Sequence, residues 1–188
     1  MQKRSDLLIF SLLALLAIAF RTVLHIGPNI ELVTASSIAA GYFLKNKKLA
    51  MLFPLIVMII TDSIIGNTSI FIFTWSAFLI TPLIGIFNAK YLNGSTAMSK
   101  TLFINTSGAI LSVLVFYLWT NFGVVVTTEM YPDTLTGLMQ SYINALPFLK
   151  NQLYGNIIFS PIIFFLVILV KSYLAEVHER KYKLSMHS

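Results

Sequence analysis

Cysteine is absent from this chain, so no disulfide, thiolate metal ligand or thiol nucleophile is open to it. Charge is scarce as well. Only 11% of the 188 residues are charged while 57% are hydrophobic, too little polar surface to clothe a water-soluble domain. Acidic residues are the scarcer sign, seven against thirteen Lys and Arg, which leaves a net charge of +6. In a soluble protein that excess would point to nucleic acid. Here it lies in the gaps between apolar runs and at the chain's end, where anionic lipid headgroups account for it, so no nucleic-acid partner is expected. No H-E-x-x-H, G-x-S-x-G or phosphate-binding P-loop occurs, and tandem repeats and low-complexity stretches are missing too. Two carboxylates and a turn histidine are too unspecific to define a reaction, so the chain is not expected to be an enzyme and calls for no metal or cofactor.

What the chain does have is apolar length. A hydrocarbon core of about 30 Å needs roughly 20 apolar residues of helix. Mean hydropathy is +0.82, and runs at 7–24, 31–44, 49–65, 70–91, 101–119 and 152–174 read as six spans of a single all-α membrane domain covering 1–188. Basic residues occupy alternate gaps: Lys3 and Arg4 before the first run, Lys45, Lys47 and Lys48 after the second, Lys90 and Lys100 around the gap after the fourth, and Lys171, Arg180, Lys181 and Lys183 after the last. Since Lys and Arg are retained on the cytoplasmic side, this alternation predicts a multi-pass protein of a bacterial inner (cytoplasmic) membrane with both termini in the cytoplasm and a cytoplasmic tail at 175–188. Arg21 and Lys150 break the pattern. Ala17, Ile18 and Ala19 also fit an A-x-A cleavage site, which keeps a signal peptide open as a second reading of the first run.

The second run is short, yet a crossing keeps Lys3/Arg4 and the Lys45 to Lys48 cluster on one side. Its small-residue pairs Ser36/Ala40 and Ser37/Gly41 permit close helix approach, which predicts a place at the centre of the bundle. Pro54, Pro82 and Pro161 fall inside spans and predict kinks. The outer segment 120–151 is long for a connection. Within it Leu135, Leu138, Met139, Tyr142 and Leu146 recur at helical spacing, after Pro132-Asp133-Thr134 as a start and before Pro147 as a stop. That predicts a short amphipathic helix over the outer mouth.

Counting about 1.5 Å per residue up from the cytoplasmic charges brings Arg21, Glu31, Asp62, Trp75 and Asn156, from five different spans, to one layer in the outer third of the membrane. An ionised group there costs on the order of 2.5 to 3.5 kcal/mol, so each needs a partner or a wet cavity. Two readings stay open. One is a substrate-binding pocket of His25, Asn29, Glu31, Asp62, Asn67, Trp75, Asn121, Tyr131, Tyr142, Asn151 and Asn156, with Glu129 and Asn144 in the gaps above. The other is a structural ion pair of Arg21 with Glu31 or Asp62, with Asn156 as an interhelical donor. Trp119 fits an aromatic belt.

Several stretches carry a resemblance: Pro28-Asn29, Ala39 to Phe43, Phe53-Pro54-Leu55, Thr61-Asp62, Gly66, Thr120 to Val124, and above all Tyr131-Pro132, Thr134, Gly137-Leu138, Tyr142, Ala145, Pro147-Phe148, Asn151 and Gly155. Together they resemble an uncharacterised family of bacterial six-span proteins related to the substrate-binding S components of energy-coupling factor transporters. That resemblance implies a six-helix bundle whose outer loops bind a vitamin, a vitamin precursor or a trace metal. The module either docks on a transmembrane scaffold with ATPases or works alone. Docking uses small residues at four-residue spacing on the first helix, which Ser11, Ala14, Ala17 and Ala19 do not reproduce, and Asn156 stands where an acid would be expected. A corrinoid ligand would have only His25 to hold its cobalt. The expected function is thus a small-molecule-binding subunit for micronutrient uptake; the alternative is a structural or interaction protein of the cell envelope.

Overall fold

A computed structural model describes residues 2–24, 26–92 and 97–186. They form six helices and, among the described residues, no strand: α1 (Gln2–Thr22), α2 (Val33–Phe43), α3 (Lys47–Ile65), α4 (Phe71–Leu92), α5 (Met98–Thr127) and α6 (Leu135–Met186). All but α2 are long and apolar enough to cross a membrane, which makes this a multi-pass membrane protein. Their outward faces carry exposed Leu15, Phe87 and Phe103, as expected where the surrounding solvent is hydrocarbon.

The second run forms a helix of only 11 residues, about 17 Å long, so as a helix it does not make the full crossing expected at 31–44. Burial is its distinction. Every residue of α2 except Tyr42 is buried, and its hydrophobic positions lie in the main core with Phe53, Val57 and Phe164. Small residues make this possible: a Cβ added to Gly41 would fall on the Pro82 carbonyl of α4, and one added to Gly85 would fall on the Ile38 carbonyl of α2. The two backbones touch directly, the close approach that Ser37/Gly41 predicts. Pro82 leaves the Phe78 carbonyl without its helical donor, and the Thr81 hydroxyl donates to it at 2.6 Å.

Both ends of α2 are closed by side chains. At its start the Glu31 carboxylate accepts from the Val33 N–H, the Thr34 N–H and the Thr34 hydroxyl. That is the favourable end of the helix dipole for an anion. At its finish, Lys47 Nζ donates to the Gly41 and Leu44 carbonyls, both at 2.8 Å. Asp6 of α1 accepts the Lys45 and Asn46 N–H groups, both at 2.9 Å, just ahead of α3. The Asp6 contact brings the start of α1 and the α2–α3 turn to one end of the bundle. Lys171 lies 5.3 Å from the Phe43 ring at that same end and shares a cavity with Ala89 and Met98, which flank the α4–α5 turn. The alternating cationic gaps therefore do converge on one face, called here the basic end.

The expected outer loop 120–151 is mostly helix. α5 runs on to Thr127, and α6 starts at Leu135 and continues unbroken through Pro147 and Pro161 for 52 residues, about 78 Å. Pro147 is not a stop. It is exposed, as is Ile143, whose carbonyl it deprives of a donor, so the lost helical bond falls on the outside of the bundle and not in its core. The amphipathic face also differs from expectation: Gly137, Ser141 and Ala145 are buried, Gly137 against Pro132 of the connection and Ser141 against Asn121 of α5, whereas Leu135, Met139 and Leu146 are at least half exposed.

Candidate functional site

At the end opposite the basic one, the charged layer exists and is closed on itself. Arg21, near the last turn of α1, donates from Nη2 to Asp62 Oδ1 at 2.7 Å and from Nε to the Thr61 hydroxyl at 2.8 Å. Trp75 Nε1 donates to the other Asp62 oxygen at 2.8 Å. Both carboxylate oxygens are occupied by protein. Thr61 and Asp62 reach this position because they end the buried face of α3 that begins at Ala50 and Phe53. The ion-pair reading of Arg21 thus holds with Asp62 as partner, while Glu31 is spent on capping α2. Asp62 and Trp75, expected as ligand contacts, are not in the walls of the cavities beside them; with Arg21 they form a brace joining α1, α3 and α4.

Beside this brace lie two adjoining cavities of about 270 and 120 Å³, which share Asn29, Phe116 and Gln152 in their walls. The larger is walled by the projecting parts of α5 and α6: Tyr117, Asn121, Tyr131, Asn144 and Phe148 contribute aromatic faces and amides. Arg21 and Glu31 border the smaller. Hydrogen bonds across the hairpin hold this frame. The Tyr117 hydroxyl donates to the Tyr142 carbonyl at 2.6 Å, the Tyr142 hydroxyl to the Leu118 carbonyl at 3.1 Å, and the Ser141 hydroxyl to the Asn121 carbonyl at 3.1 Å. Asn144 Nδ2 donates to the Tyr131 hydroxyl at 3.1 Å, tying the 128–134 connection to α6.

Gln152 is the most telling residue. It is 3% exposed and lies in the walls of both cavities, and among the described residues no side chain or backbone group bonds to its side-chain amide. Among the described residues the fully enclosed side-chain atoms without a partner are the hydroxyls of Ser36, Ser37, Ser112 and Ser160 and Asn156 Oδ1; the Gln152 amide is not one of them, so it reaches cavity space where water or a ligand can bond to it.

Of the residues singled out by sequence, Arg21, Asn29, Glu31, Asn121, Tyr131 and Asn144 come together around these cavities. The others do not. Tyr142 braces the hairpin from its outer side, Asn151 Nδ2 donates to the Pro28 carbonyl at 3.3 Å, and Asn67 accepts the Thr68 N–H in an exposed turn. Asn156 is buried but donates to the Gln152 carbonyl of its own helix, so it is not the interhelical donor expected. His25 lies outside the described residues. Sequence reasoning passed over Phe116, Tyr117 and Gln152, which sit in or beside apolar runs where a lone polar group reads as helix surface. It also passed over Asn88 and Asn105, which join α4 to α5 by a buried amide bond of 3.1 Å. Among the described residues no group of three or more His, Asp or Glu side chains is disposed to hold a metal ion.

The model of a family of unknown function, DUF6580, matches residues 1–178. This chain belongs to that family. No curated protein and no solved structure matches it.

Proposed function

We propose that this protein is a membrane-embedded substrate-binding subunit for uptake of a small micronutrient, such as a vitamin or vitamin precursor, captured at the end opposite the basic one. The observation that carries this reading is Gln152, whose amide faces the space where two cavities meet and has no protein partner among the described residues. Asn29, Asn121 and Asn144 add neutral donors and acceptors, and Phe116, Tyr117 and Phe148 add flat apolar walls. Such a lining suits a compact, uncharged, hydrogen-bonding molecule with a planar or apolar body, and the volume lies near the lower limit of about 300 Å³ for ligand pockets. The proposal places the basic end in the cytoplasm of a bacterium, by the bias of Lys and Arg towards that side. Without a P-loop of its own, the subunit would draw energy from a separate transmembrane scaffold with ATPases or act alone. Ala14 and Ala17 pack into the core of this chain, which removes two of the four small residues on α1 from any docking face.

Mass spectrometry of small molecules retained by the purified protein tests the proposal, together with thermal unfolding in their presence. A retained compound should raise the melting temperature of the wild type, and Gln152→Leu should abolish the rise while leaving the fold intact. A Gln152→Leu protein that retains the same compound to the same extent would sink the reading.

One observation favours the second reading, an interaction protein. Lys150 and Lys171 are separated by 21 residues, about 31 Å of helix and one hydrocarbon thickness, so the first turns of α6 project beyond the lipid on this reckoning. There Leu135, Met139 and Ile143 are more than half exposed. An apolar patch outside the lipid marks a partner surface. Met139→Lys with Ile143→Lys should release a co-purifying protein under this reading and leave ligand retention unchanged under the first.

A further inference from the structure

A second, larger cavity of about 590 Å³ opens at the basic end, between the start of α1, the α2–α3 turn and the late turns of α6. Arg4, Lys45 and Lys171 line it, one cation from each of three elements, with Phe43, Leu8 and Leu174 beside them. Their charges are not consumed by the protein. Among the described residues no carboxylate lies within ion-pair distance of any of the three, and the two ion pairs found are Arg21–Asp62 and Lys183–Glu179. Lys47 shows the contrast, since its ammonium is committed to the Gly41 and Leu44 carbonyls. Asp6, the acid in this cavity, uses one oxygen to accept two backbone N–H groups.

Directly along the same seam runs a groove of about 190 Å³ between α1 and α6, lined by apolar side chains alone, among them Leu12 and Leu16 of α1 with Leu166 and Val170 of α6. The two hollows are consecutive on both helices. On α1 the lining passes from Leu8 to Ile9, and on α6 from Lys171 to Val170. A polar, cationic chamber therefore leads straight into a greasy slot about 11 Å long.

We propose that this seam binds one anionic phospholipid, with the phosphate held by Arg4, Lys45 and Lys171 and an acyl chain laid in the groove between α1 and α6. Charge complementarity selects the head, because three cations against the single carboxylate of Asp6 leave a net positive lining, which favours a headgroup of net negative charge over a zwitterionic one. Continuity with the slot selects a lipid over a free anion, since a soluble phosphate would leave the apolar groove unfilled. The site lies at the opposite end from the cavity around Gln152 and does not depend on what that cavity binds.

Native mass spectrometry and thermal unfolding of the full chain in lipid-free detergent test this, titrating dioleoyl phosphatidylglycerol, dioleoyl phosphatidylcholine, glycerol 3-phosphate and inorganic phosphate. Phosphatidylglycerol should bind on the order of tenfold more tightly than phosphatidylcholine, as expected for one to two charge contacts. Arg4→Gln with Lys171→Gln should reduce that preference below about twofold. Lys183→Gln, remote from the seam, should leave it unchanged. Leu16→Trp, which fills the slot, should weaken both lipids and preserve their ratio. Equal binding of the two lipids by the wild type would overturn the proposal, and that comparison needs no variant to fold. So would displacement of phosphatidylglycerol by equimolar glycerol 3-phosphate or inorganic phosphate, which would make this a free-anion site, or a double variant that keeps the full preference.

Discussion

Each end of the bundle is organised by one buried aspartate, and the two do opposite things with their surroundings. Asp62 gathers side chains: a guanidinium, an indole and, through Arg21, a threonine hydroxyl, drawn from α1, α3 and α4. Asp6 gathers backbone: the N–H groups of Lys45 and Asn46 at the turn that opens α3. The first arrangement uses up its cation, whereas the second leaves Arg4, Lys45 and Lys171 outside ion-pair distance of any described carboxylate. A buried carboxylate is costly in either place, and the difference lies in what satisfies it. Where a side-chain cation does so, the charge becomes part of the scaffold and is lost to ligands. Where peptide groups do so, Arg4, Lys45 and Lys171 form no ion pair with it, and only Lys47 is tied up, on the carbonyls that end α2.

Perturbing the two aspartates and their partners makes this contrast measurable by reversible unfolding in lipid-free detergent. The largest effect should come from Arg21→Ala, which leaves Asp62 buried without a counter-charge and should cost about 3 kcal/mol, the low end for a broken buried pair because Arg21 keeps some exposure. Adding Asp62→Ala should recover part of that loss. If the double variant is worse by the sum of both singles, the pair is not the unit described here. Asp6→Ala should follow at about 2 kcal/mol, since two backbone donors lose a charged acceptor. Trp75→Phe should cost about 1 kcal/mol, the worth of one hydrogen bond to a carboxylate that retains its other partners. Lys171→Gln should change stability by less than about 0.5 kcal/mol, because no protein anion is paired with it. A Lys171→Gln effect as large as that of Arg21→Ala would erase the distinction between the two ends.

Much of this architecture is legible in the sequence, and the exceptions have physical causes. Apolar length and the spacing of Lys and Arg locate five long helices and gather their charged gaps at one end, because lipid imposes those constraints on every crossing segment. The Ser37/Gly41 pair likewise announces a close backbone approach. Pro147 misleads, because proline breaks a helix only when the freed carbonyl has no alternative, and here that carbonyl is exposed. The start of α6 misleads for a related reason: its buried face is built from the small residues Gly137, Ser141 and Ala145, so hydrophobic periodicity points the wrong way round. Within the site, Asn29, Glu31, Asn121 and Tyr131 are visible as polar residues at the expected depth. Asp62 and Trp75 have the same depth but find each other instead of a cavity, and no one-dimensional count can tell those outcomes apart. Gln152 was hidden by its place at the start of an apolar run, where amides ordinarily meet water.

The unbroken run of α6 has a mechanical consequence. Ser141 and Gln152 near its beginning edge the cavity at one end, and Lys171 and His178 edge the seam at the other, so a single rod carries walls of both. Any displacement of that rod along its own axis would carry lining residues of both hollows with it as one solid piece.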